Sequence, residues 1–131
     1  MNSKIAVFGL SDLQIVQLQE ALPPGYTAEK AERITDLTAM DVICSVIDPS
    51  HIDKNARCEL LRYYKNAGEY LKELIVWLGD CPFPKRVDCL RYNCLQEMLP
   101  TSEMDLVISQ AISHYGTRRL LPHPREVINY Q

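Results

Sequence analysis

The stretch Asp48-Pro49-Ser50-His51 sets a carboxylate, a hydroxyl and an imidazole within four consecutive residues. A carboxylate beside an imidazole can hold a metal ion or move a proton. Each residue also has a plain structural use. An Asp before Pro caps its own turn, and a His on a polar loop stands in solvent. Gly9, closing the run Lys4-Ile5-Ala6-Val7-Phe8, could let a phosphate approach the backbone. The fuller G-x-G-x-x-G pattern is absent, so the expected role of Gly9 is turn geometry. Cys81, Cys89 and Cys94 lie close together, yet no C-x-x-C pair forms, and His51, His114 and His123 complete no zinc pattern. No metal site and no cofactor are expected. The five cysteines are an odd number, which points to reduced thiols packed as small hydrophobes. Tyr63-Tyr64, between Arg62 and Lys65, reads as one ring packed on the domain and one facing outward. Arg118, Arg119 and Arg125 read as solvated tail charges.

These side chains need elements to position them. Lys4–Leu10 is a short apolar run, as in a strand buried on both faces. Ser11 and Asp12 are both good N-caps, and apolar spacing over Leu13–Leu22 predicts a helix stopped by Pro23-Pro24-Gly25. Tyr26–Ala31 reads as a weak, partly exposed strand and Ile34–Met40 as a short helix. Asp41–Asp48 is β-branched and continuous, the strongest strand signal, and belongs at the sheet centre. Ala56–Asn66 reads as a helix ended near Gly68, and Leu74–Leu78 as a buried strand ended by Gly79-Asp80. Val87–Arg91 is expected to be the last strand. Glu103–His114 is the last helix, capped by Thr101 or Ser102 and ended by Gly116. Its residues Leu106, Val107, Ala111 and Ile112 are expected to face the sheet.

Strands alternating with helices, each strand apolar, predict a three-layer, doubly wound α/β fold. The sheet should be five-stranded, mostly parallel and ordered 2-1-3-4-5, with a short or missing fourth helix. Residues 1–116 form the α/β domain and 117–131 a tail. The tail's Leu120, Leu121, Val127, Ile128 and Tyr130 are too apolar to leave in water and should dock. In such sheets a site lies beyond the carboxyl ends of the strands. Here that edge offers Gly9, Ser11, Asp12, Asp48, Ser50, His51, Gly79, Asp80 and Arg91.

The chain has 131 residues, 47% hydrophobic and 24% charged, with a net charge of −3. This is the balance of one globular domain. No broad basic surface is encoded, so no nucleic-acid partner is expected. The apolar run at the N-terminus is shorter than a signal segment, and no stretch approaches the roughly 20 residues of a membrane span. A cytoplasmic protein without a membrane partner is expected.

Lys4-Ile5-Ala6-Val7-Phe8-Gly9-Leu10-Ser11-Asp12, the run from Asp41 to Pro49, and Leu74-Ile75-Val76-Trp77-Leu78-Gly79-Asp80 together resemble the receiver domain of bacterial response regulators. The resemblance covers about residues 3–116. It implies that Asp48 stands at the phosphoacceptor position, although the run from Asp41 is longer than usual and sets Val46 against it. The family's acidic, Mg²⁺-holding pair falls on Phe8-Gly9 here. Its Ser/Thr falls on Leu78 or Gly79, and its Lys-Pro on Arg91-Tyr92-Asn93. The resemblance therefore implies a degenerate pseudo-receiver. That is a non-catalytic signalling domain working through a protein partner or a second copy, across the strand 4, strand 5 and last-helix face. The alternative is a small flavodoxin-like enzyme or ligand-binding module using the carboxyl-edge loops.

Overall fold

A computed structural model describes residues 3–78, 92–95 and 101–124. Four strands, β1 (Lys4–Phe8), β2 (Thr27–Lys30), β3 (Cys44–Ile47) and β4 (Leu74–Leu78), pair in parallel in the order β2-β1-β3-β4. β1, β3 and β4 are buried on both faces apart from Lys4, as their unbroken apolar sequences require. β2, with the sequence Thr-Ala-Glu-Lys, is a half-exposed edge.

Alternate residues of each strand feed two separate cores. Ile5, Val7, Val46 and Val76 pack against Leu18 and Ala21 of α1 (Asp12–Ala21) and against Val107, Ile108 and Ala111 of α4 (Thr101–Arg118). Ala6, Phe8, Ile47, Ile75 and Trp77 pack against Leu37 of α2 (Ile34–Ala39) and against Leu60, Tyr64 and Ala67 of α3 (Lys54–Ala67). The chain is thus an α/β domain with its parallel sheet between two helical layers. Each fully buried aliphatic or aromatic side chain contributes about 1.5–3 kcal/mol. Tyr64 is buried edge-on to Trp77, while Tyr63 is only partly buried. α3 closes at Gly68, whose φ of 46° lets the chain leave the helix.

Several details differ from the sequence reading. β3 is shorter than the apolar run, because Val42 and Ile43 are buried before the ladder starts and Asp48 turns away after it. Gly116 lies inside α4, which continues to Arg118. Its final turn is held by Thr117 Oγ1 donating to the Ser113 carbonyl (2.9 Å) and Arg118 Nε donating to the Leu71 carbonyl (2.7 Å). Two such bonds offset the roughly 1 kcal/mol that a glycine costs within a helix. Leu106 faces solvent, 66% exposed, and Ile108 takes the core position instead. Cys44 is buried, and burial pushes its thiol well up, but Cys58 is exposed rather than packed.

At the amino edge of the sheet the Tyr115 hydroxyl donates to Asp41 (3.0 and 3.2 Å), tying α4 to the segment that leads into β3. Glu73, partly buried just before β4, lies near that charge. Burial and the Asp41 charge push its carboxyl up to about 7, against the pull of the Glu73 and Lys72 backbone N–H groups. In the tail, Leu120 stands free in solvent and Pro124 is buried. Val127, Ile128 and Tyr130, the expected strand Val87–Arg91 and the stretch expected to lack a full fourth helix lie outside the described residues. No helix among the described residues is long and apolar enough to cross a membrane.

Candidate functional site

The carboxyl edge is built by two chain reversals that lock together. After β1 the chain turns at Gly9, with φ 78°. A Cβ at this position would stand 2.6 Å from the Asp48 carbonyl oxygen and 2.9 Å from Ile52 Cγ1. Both the left-handed backbone and the close approach exclude a side chain, which is the structural role expected of this glycine.

Ser11 caps α1. Its hydroxyl accepts from the Gln14 N–H (3.2 Å), and Gln14 Oε1 accepts from the Ser11 N–H (2.8 Å). This reciprocal box aims the remaining Gln14 amide at the sheet, where Nε2 donates to Asp48 Oδ2 (3.0 Å). Gln14 was not among the expected site residues, although Ser11-Asp12-Leu13-Gln14 fits the S-x-x-Q signature. Asp12, the other candidate cap, is instead the first residue of the helix. Its exposed carboxylate lies 3.7 Å from Lys30 Nζ.

Asp48 follows β3 directly, and its N–H donates to the Phe8 carbonyl (3.1 Å). Val46 is buried within β3, so Asp48 is the residue delivered to the edge. Its Oδ1 accepts from the Ser50 N–H (3.0 Å) and the Ser50 hydroxyl (2.6 Å), starting the short turn Pro49–His51. The residue is only 7% exposed. Burial pushes its carboxyl up, but the Ser50 hydroxyl, the Gln14 amide, the Ser50 N–H and nearby His51 outweigh burial and hold it below the usual carboxylate value.

His51 joins the two reversals. Its Nδ1 lies 2.9 Å from the Gly9 carbonyl oxygen and 3.5 Å from Asp48 Oδ2. Both neighbours are acceptors, so Nδ1 carries the proton, and a neutral ring keeps its lone pair on Nε2. Asp53 then caps α3, Oδ1 accepting from the Ala56 N–H at 2.7 Å.

Gly9, Ser11, Asp48, Ser50 and His51 are thus brought together, and Asp12 borders them. Gly79, Asp80 and Arg91 lie outside the described residues. Beside the knot, an open cleft of about 770 Å³ runs from Phe8 and Gly9 to the first turns of α2 and α3. Lys30 at the end of β2, Arg33 at the cap of α2 and Glu59 within α3 stand on its walls and were not singled out by sequence, because isolated exposed charges give no periodic signal. No family model matches the chain, and neither the curated proteins nor the solved structures compared with it gave a match.

Proposed function

We propose that this chain is a regulatory domain of degenerate receiver type, acting through protein contact and not through phosphorylation of Asp48. The observation that carries the reading is the state of Asp48. Its two oxygens already accept three hydrogen bonds, from Ser50 and Gln14. Phosphoryl transfer to a carboxylate needs an accessible oxygen and a divalent cation held beside it. β1 delivers Phe8 and Gly9 to that place, neither of which has a ligating side chain, and the space above Gly9 is filled by the Asp48 carbonyl and Ile52.

The five-stranded order 2-1-3-4-5 completes this reading. Tyr92–Leu95 supports it, with Ile75 opposite Tyr92 and Leu78 opposite Leu95 in parallel register beside β4. The contact surface is assigned to the α4 side of that edge, supported by the exposure of Leu106. The partner is another protein or a second copy of this chain.

Incubation with acetyl phosphate and Mg²⁺, followed by intact-mass measurement, tests the first half. The expected result is an unmodified chain. A phosphate adduct that disappears in Asp48→Asn overturns it. Sedimentation of the full chain and of Leu106→Glu tests self-contact. Association weakened by the substitution supports it, and a monomer at high micromolar concentration leaves only a heterologous partner.

A further inference from the structure

The cleft at the carboxyl edge is large enough for a small molecule, at about 770 Å³. Its apolar lining includes Phe8, Ile34, Ile52 and Ala56. Its charges divide by wall. On the α2 side Lys30 is engaged by Asp12 and Glu32, at 3.7 and 3.8 Å, whereas no carboxylate among the described residues lies within ion-pair distance of the Arg33 guanidinium. On the α3 side Asp53 spends one oxygen on the helix cap, and Glu59 has no cation within ion-pair distance among the described residues. Arg33 and Glu59 thus line one cleft, one at the start of α2 and the other on α3, with no ion pair between them.

We infer that this cleft binds a small zwitterion with an apolar group, of the α-amino-acid class. The ligand's carboxylate would meet the Arg33 guanidinium, a geometry that favours paired N–H···O bonds. Its ammonium would meet Glu59, with Asp53 adding to the negative potential of that wall. Its side chain would cover Phe8 and Ile52, displacing water from apolar surface. A purely anionic ligand would leave Glu59 facing like charge, and a purely cationic one would do the same to Arg33. The inference does not depend on the regulatory reading, since it uses none of the Asp48 hydrogen bonds.

The test is a backbone-amide NMR titration of the full chain with L-phenylalanine and L-leucine. Phenylalaninamide, which lacks the carboxylate, and N-acetylphenylalanine, which lacks the ammonium, serve as probes of each pole. AMP serves as an anionic competitor. The expected result is a saturable shift at Gly9, Ile52 and Ala56 with the free amino acids, about tenfold weaker with either blocked form. Arg33→Ala should abolish the preference for phenylalanine over its amide, and Glu59→Gln the preference over the N-acetyl form. Both substitutions are at exposed positions and leave the cores intact. The absence of saturable shifts with both amino acids, equal binding of the blocked forms, or shifts with AMP alone would each overturn the proposal.

Discussion

The Gln14 side-chain amide donates to Asp48 Oδ2 at 3.0 Å, cross-linking the first turn of α1 to the end of β3. The same side chain closes the Ser11 capping box, so one residue fixes both a helix start and the setting of a buried carboxylate. Gln14→Ala should lower stability by about 1–2 kcal/mol, the sum of a weakened cap and a lost bond to a charged acceptor. Gln14→Glu should cost more at neutral pH than in acid, because it sets like charge against Asp48. Urea unfolding midpoints for the three chains check both statements.

Gly9→Ala should be among the most damaging single-methyl additions in this protein. The new Cβ meets the Asp48 carbonyl and Ile52, and φ stays positive. A loss on the order of 2 kcal/mol or more is expected, read as a lower thermal midpoint. Unchanged stability would contradict the close approach of the two loops.

Glu73 and Asp48 give stability opposite pH slopes. The Glu73 carboxyl is raised from 4.5 to about 7, so between those values the unfolded chain releases a proton that the folded chain keeps. Stability should therefore fall as pH rises from about 4.5 to about 7, by at most about 3 kcal/mol, and level off above. Asp48 is lowered from 3.8, so its contribution is present above that pH and is lost as pH falls through its folded value. Denaturant titrations across pH should show highest stability in mild acid, and Glu73→Gln should remove the fall toward neutrality.

A chain ending at Gly116 should be less stable than the full chain. It loses the Arg118 bond to the Leu71 carbonyl and the Thr117 bond to Ser113. The expected loss is about 1–2 kcal/mol. Arg118→Ala alone should reproduce most of it in the same unfolding assay.

Strands buried on both faces were the most legible elements. Leu74–Leu78 coincides with the observed β4, because an unbroken apolar run bounded by polar residues has few other uses. The last helix was legible in position but not in orientation. Leu106, Val107 and Ile108 are consecutive, and periodicity does not say which of three neighbours faces the core; packing put Leu106 outside. Gly116 misled because a glycine stops a helix only where nothing downstream holds the next turn, and Arg118 does hold it. At the carboxyl edge, the turn-capping role of Asp48 was readable from Asp-Pro, and its burial was not. The carboxylate's partner Gln14 is far away in sequence and meets it only when α1 docks.

Trp77 is the chain's only tryptophan, fully buried beneath α3 with the Tyr64 ring edge-on at 6.1 Å. One indole in one dry environment makes the protein its own optical probe. Its emission should be blue-shifted while α3 covers the sheet and move to the red when that layer lifts. The α1–α4 layer packs on the other side of the sheet, where no tryptophan reports. Comparing the emission with far-ultraviolet circular dichroism would therefore show whether the two layers unfold together or in turn.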